Sequence, residues 1–122
     1  METRKAIISF SQSEKIKSGL IWASQSLELL NSLPEKDKQA GEKIIKVIIS
    51  MIADEVNLAR RQSDSEEDAS VWGEVGKHIQ MAVVMINSHV AYEAVFHLTQ
   101  ALPRVTGIGH RSMSSLIEKG LF

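Results

Sequence analysis

The chain has no cysteine, only two prolines in 122 residues, and aromatic side chains at 5% of the total. Without cysteine, neither a disulfide framework nor a thiolate metal site is available, and a reducing compartment fits. So few aromatics leave little for single-stranded bases to stack on. Fourteen basic side chains against fifteen acidic ones give a formal charge of -1. No global field therefore draws the molecule to nucleic acid or to an acidic membrane. Long apolar runs are also missing. The most apolar tract, residues 44–53, is interrupted by Lys46 and Ser50 and falls well below the ~20 residues of a membrane span. The short apolar stretch between Lys5 and Ser11 is too brief for a secretory core. These absences lead to the expectation of a cytoplasmic protein with no membrane partner.

What the chain does have is helical periodicity. Ser11-Gln12-Ser13-Glu14 has the spacing of a capping box, which predicts a helix start there and leaves residues 1–10 as an N-terminal arm. Ile16, Leu20, Ala23, Leu27 and Leu30 then alternate spacings of four and three, the repeat of a helix packed lengthwise on another. Asn31, Ser32 and Pro34 end it. Pro34 suits the first turn of a second helix running to about residue 62, with Glu35 and Asp37 placed well against its dipole. At 100° per residue, Ile44, Ile45, Val47, Ile48, Ile49, Met51, Ile52, Val56 and Leu58 cover an arc of about 200°, wider than one neighbouring helix can bury. The second helix is therefore central, or it faces another subunit.

Residues 63–68 form a polar turn whose acidic members suit the next helix N-terminus. The third helix is expected to be the longest, over about residues 67–102, with Pro103 as its stop and a short last helix over about residues 111–119 before Gly120. The expected fold is all-α: one domain over residues 1–122, an up-down antiparallel bundle of three long helices plus a short C-terminal helix. Residues 103–122 form its C-terminal turn and short helix. Apolar arcs this broad predict a homo-oligomer, a dimer first. Met51, Met81, Met85 and Met113 read as core filling.

Two groups of residues depart from plain core building. On the expected third helix, the seam Val75, Ile79, Ala82, Ile86 continues as His89, Glu93 and His97, each four residues from the next. That spacing stacks imidazoles and a carboxylate on one face at ~6 Å, a half-set of ligands for zinc, iron or manganese. The same residues serve equally as a buried polar network in which Glu93 holds both histidines and fixes helix register. A hairpin turning near residue 64 or 65 sets position 89 opposite about position 40 and leaves Glu55 roughly 20 Å along the bundle from His89, nearest His78. Glu55 and His78 are thus expected to form a core pair.

The second group is Val105-Thr106-Gly107-Ile108-Gly109-His110-Arg111-Ser112 and the residues on to Gly120, which resembles the helix-hairpin-helix motif of non-sequence-specific DNA-binding proteins. The resemblance covers residues 105–120 alone. It implies that Gly107 and Gly109 form a turn between two short helices, that Ile108 anchors it, and that Arg111 and Ser112 reach a DNA phosphate. Independently of it, glycines permit tight turns, and a following helix start offers unpaired amides to an anion. The same glycines can simply turn the chain so that Ile108, Met113, Leu116 and Ile117 cap the bundle.

No nucleophile triad, nucleotide loop or paired catalytic carboxylates emerge from spacing, and Arg104 with His110 is thin ground for RNA cleavage. The expected function is that of a non-enzymatic, self-associating bundle serving as an interaction or scaffold module without a cofactor. The alternatives are nucleic-acid phosphate binding at Gly107, Ile108, Gly109, Arg111 and Ser112, and a divalent metal ion at His89, Glu93 and His97.

Overall fold

The computed structural model describes residues 2–121; position 1 of the expected arm and position 122 of the expected C-terminal segment lie outside them. Four long helices form: α1 (Thr3–Leu30), α2 (Glu35–Arg61), α3 (Glu66–Asn87) and α4 (Ala91–Glu118). Each packs on its neighbour in the chain, and α4 returns to pack most extensively on α1. The result is an antiparallel four-helix bundle, not three long helices and a short one. The expected core of α1 holds throughout, with Ile16, Leu20, Ala23, Leu27 and Leu30 all buried. Ile49, Ile52 and Val56 of α2, Val75, Ile79 and Ile86 of α3, and Leu98, Val105 and Ile108 of α4 complete it.

The expected arm is helix. α1 begins at Thr3, not Ser11, because residues 3–10 have a surface to pack on: Ala6 is fully buried and Ser9 lies against Ser112 of α4. Inside the helix, the Ser13 hydroxyl donates to the Phe10 carbonyl at 2.8 Å and caps nothing, the back-bonding that serine adopts in helix interiors. Ser65 does cap a helix, its Oγ accepting from the Asp68 amide at 3.1 Å at the start of α3.

The expected 67–102 helix is broken at residues 88–90. His89 sits in the left-handed region with φ 61°. The Val90 amide donates to the Met85 carbonyl (2.9 Å) and the His89 amide to the Ile86 carbonyl (3.0 Å). This is the paired closure of a Schellman motif, which ordinarily takes glycine. Gly120, with φ 74°, makes the same closure at the end of α4, where Leu121 donates to Leu116 and Gly120 to Ile117. Histidine is among the few side chains enriched in that backbone region, so the turn needs no glycine and carries no composition signal.

Beyond the break, α4 runs uninterrupted through Pro103, Gly107 and Gly109. Pro103 does not stop it, since the proline is exposed while Leu98, Ala101, Val105, Ile108 and Leu116 keep helical period on the buried side. The glycines make no turn. A β-carbon on Gly109 would stand 2.6 Å from Ser13 Oγ, so this glycine is where α1 and α4 approach closely, whereas one on Gly107 would meet Arg111 Nη1 at an ordinary 3.6 Å.

Two substitutions with calorimetric or denaturant readout test these assignments. His89→Gly is expected to keep or raise stability, while β-branched His89→Val lowers it by about 1–2 kcal/mol, the cost of left-handed backbone. Gly107→Ala is expected to stabilise by about 0.5–1 kcal/mol, as alanine does inside a helix, and Gly109→Ala to destabilise through its clash with Ser13. Loss of stability at Gly107→Ala would restore the hairpin turn.

Candidate functional site

The break at His89 disperses the polar seam. His89 lies outside both helices with its side chain 77% exposed, its Nδ1 3.3 Å from Glu42 Oε1. Glu93 is exposed in the first turn of α4, and His97 is half-buried one turn further along. The three do not share one helix face, and among the described residues no group of three or more His, Asp or Glu is placed to hold a metal ion. The expected register of the α2–α3 hairpin holds: Glu42 meets His89, and Lys46 Nζ donates to Asn87 Oδ1 at 2.9 Å. Glu55 does not meet His78. It faces α1, where Lys15 Nζ donates to its Oε1 at 2.8 Å.

The residues of the expected hairpin are structural where they stand. Arg111 Nη2 donates to the buried Asp68 carboxylate at 2.6 Å, tying α4 to the start of α3. Ser112, fully buried, lies 3.0 Å from the Ile108 carbonyl and 2.8 Å from Ser9 Oγ, so its hydroxyl joins α4 to α1. Gly107, Ile108 and Gly109 are helical, with their amides committed to the helix and no turn to offer an anion.

Spacing missed a polar cluster on the α3/α4 face. Arg104 Nε donates to Glu74 Oε2 at 2.7 Å and its Nη1 to the Gln100 carbonyl at 2.8 Å. One turn from Glu74, the His78 ring lies 6.0 Å, centroid to centroid, from that of His97. Nδ1 of His97 is buried with no hydrogen-bond partner among the described residues. Desolvation, then Arg104 and His97, hold His78 below its ordinary 6.5, with Glu74 opposing them. The Arg104 hydrogen bond and charge hold Glu74 below 4.5. The cluster disfavours the protonated form of His78 beside the Arg104–Glu74 ion pair. A sequence signal existed, in Glu74 and His78 at i, i+4 and His97 and Arg104 at i, i+7, but it becomes a cluster only once the chain turns at His89.

The second feature is apolar. On the outward face of α1 and α2, Trp22 (66%), Leu29 (67%), Ile44 (63%), Val47 (61%) and Met51 (64%) are exposed. Trp22, Ile48, Met51 and Ile52 line a groove of ≈ 400 Å³ between the two helices, with Lys15 and Glu55 at one end. α1 and α2 approach closely because Gly19 leaves room for Ile52 and Gly41 for Leu30 and Leu33. Met51 and Met81 are therefore surface residues, while Met85 packs on the core.

Among the described residues no helix is long and apolar enough to cross a membrane. No family model, curated protein or solved structure matches the chain. Function therefore rests on the geometry itself.

The cluster makes a pH prediction. A histidine whose pKa is lower folded than unfolded binds fewer protons when native, so its site is fully stable above 6.5 and loses stability as pH falls from 6.5 toward the folded value. Urea midpoints should decline as pH falls below 6.5, and His78→Gln should flatten that decline. The Glu74 contribution has the same sign in a lower window, present above 4.5 and lost as pH falls below it, so the two are separable along the pH axis. An unchanged slope in His78→Gln would remove the histidine from the account.

Proposed function

We propose that this chain is a non-enzymatic helical bundle that self-associates through the α1/α2 face and serves as an interaction or scaffold module. The observation that carries this reading is the concentration of large apolar side chains on that face. Trp22, Leu29, Ile44, Val47 and Met51 are each more than 60% exposed, although the bundle has a complete core without them. Scattered apolar residues are normal on a surface, but a contiguous set marks an interface. Fully covering an aliphatic side chain of this size contributes about 1.5–3 kcal/mol, so a few of them doubled by symmetry suffice for association.

A second copy is favoured as occupant because the face is nearly uncharged at its centre and carries both signs at its edges, as a self-complementary surface requires. In the α3/α4 cluster the arginine and glutamate satisfy each other.

Sedimentation velocity at micromolar concentration is expected to show a dimer. Met51→Glu places a carboxylate in the covered face and should weaken association roughly a hundredfold while leaving the helical circular dichroism intact, because the side chain touches solvent in a single copy. A wild-type chain that sediments as one copy throughout this range overturns the reading.

A further inference from the structure

Opposite charges flank the centre of the α2 stripe. Ile44, Val47, Ile48 and Met51 form the centre of the stripe, which Leu58 continues one turn past Asp54. Lys43 immediately precedes this centre and Asp54 follows it, both exposed. They are eleven positions apart in the sequence. At 100° per residue this places them within about 20° of one another on the helix, on the same rim of the stripe. Neither has an ion-pair partner among the described residues, whereas Glu55 beside Asp54 is already held by Lys15. α1 adds Trp22 and Leu29 but is otherwise polar on this face, with Lys15 and Ser26 at the groove. The apolar centre therefore lies on α2.

We propose that two copies dock α2 on α2 in antiparallel orientation, about a two-fold axis crossing the helix near Ile48, so that Lys43 of each copy faces Asp54 of the other. A cation before an apolar stripe and an anion after it match their own image only when the image runs the other way. A parallel two-fold pairing carries this rim to the opposite side of the seam in the second copy, so neither Lys43 nor Asp54 meets its complement and that orientation has no matching charge pair. The antiparallel pairing lets the two sets of Ile44, Val47, Ile48 and Met51 interdigitate at the centre. Both ion pairs then lie on the rim, where they select orientation more than they add affinity. The axis at this height also brings Trp22 of each copy beside the stripe, since Trp22 lines the same groove as Ile48 and Met51.

This orientation rests on self-association through the α1/α2 face, and the experiment separates the two. The absence of cysteine lets single cysteines report distance without interference. In antiparallel register, a cysteine at position 43 lies close to one at position 54 of the other copy, while each lies about 16 Å along the helix from its own counterpart. Lys43→Cys mixed with Asp54→Cys and allowed to exchange is expected to link with a short bis-maleimide, and neither variant alone is expected to link. In parallel, Lys43→Asp should weaken the dimer roughly tenfold, with Asp54→Lys added to it restoring affinity.

A chain that sediments as a single copy overturns self-association itself. A dimer in which Lys43→Cys or Asp54→Cys links to its own kind, or in which the double charge reversal fails to restore affinity, overturns the antiparallel orientation and leaves self-association standing.

Discussion

Three of the four seams in this bundle join helices that a short turn already holds side by side, at residues 31–34, 62–65 and 88–90. The seam between α1 and α4 has no such help. It connects the first helix to the last, so side-chain packing alone must overcome the entropy of bringing them together. The packing is built for that task. Small residues sit where the helices come closest, with Ser9 and Ser13 on α1 meeting Ser112 and Gly109 on α4. Larger ones, Leu20 and Leu27 with Leu98 and Val105, fill the remainder of the core. Closure works only if α4 stays helical along its whole length. That requirement carries the chain through Pro103, whose interior position costs about 3 kcal/mol or more. Burying Val105, Ile108 and Leu116 beyond the proline, at about 1.5–3 kcal/mol each, offsets this.

The same constraint separates what the sequence made legible from what it did not. The apolar spacing of α1, the proline start of α2, the acidic start of α3 and the register of the α2–α3 hairpin were all readable, because each depends on residues close together in the chain. The start of α1 was not. Ser11 and Glu14 have capping-box spacing, and only the burial of Ala6 and the contact of Ser9 with α4 reveal that the helix begins earlier. Pro103 and the Gly107-Ile108-Gly109 run have strong local meanings as breakers, and tertiary packing overrides both. The turn at His89 was hidden for the opposite reason: a histidine occupies the left-handed position that glycine usually announces.

That one turn reassigns the chemistry of the C-terminal half. With a continuous helix, His89, Glu93 and His97 fall on one face. With the Schellman closure at residues 88–90, His89 is drawn to Glu42 of α2 and His97 to His78 of α3. A polar run in sequence becomes two separate inter-helix contacts, neither of which brings three ligands together. The lowered pKa of His78 is then a consequence of packing, since partial burial and a nearby arginine both disfavour its protonated form. Glu55 follows the same logic. Its place on the α1 side of α2 is set by which residues of α2 enter the core, and that side leads to Lys15 rather than to His78.

The breadth of the α2 arc is where sequence and structure agree most usefully. A helix in a square bundle has two neighbours, and α2 buries Ile45, Ile49, Ile52, Val56 and Ala59 between them. Gly19 and Gly41 let α1 settle close to α2. Ile44, Val47 and Met51 are left outside a core that is already full, so rotating α2 to cover them would expose the residues now buried. The apolar excess is therefore a property of this packing and not a defect in it. It persists for as long as the bundle does.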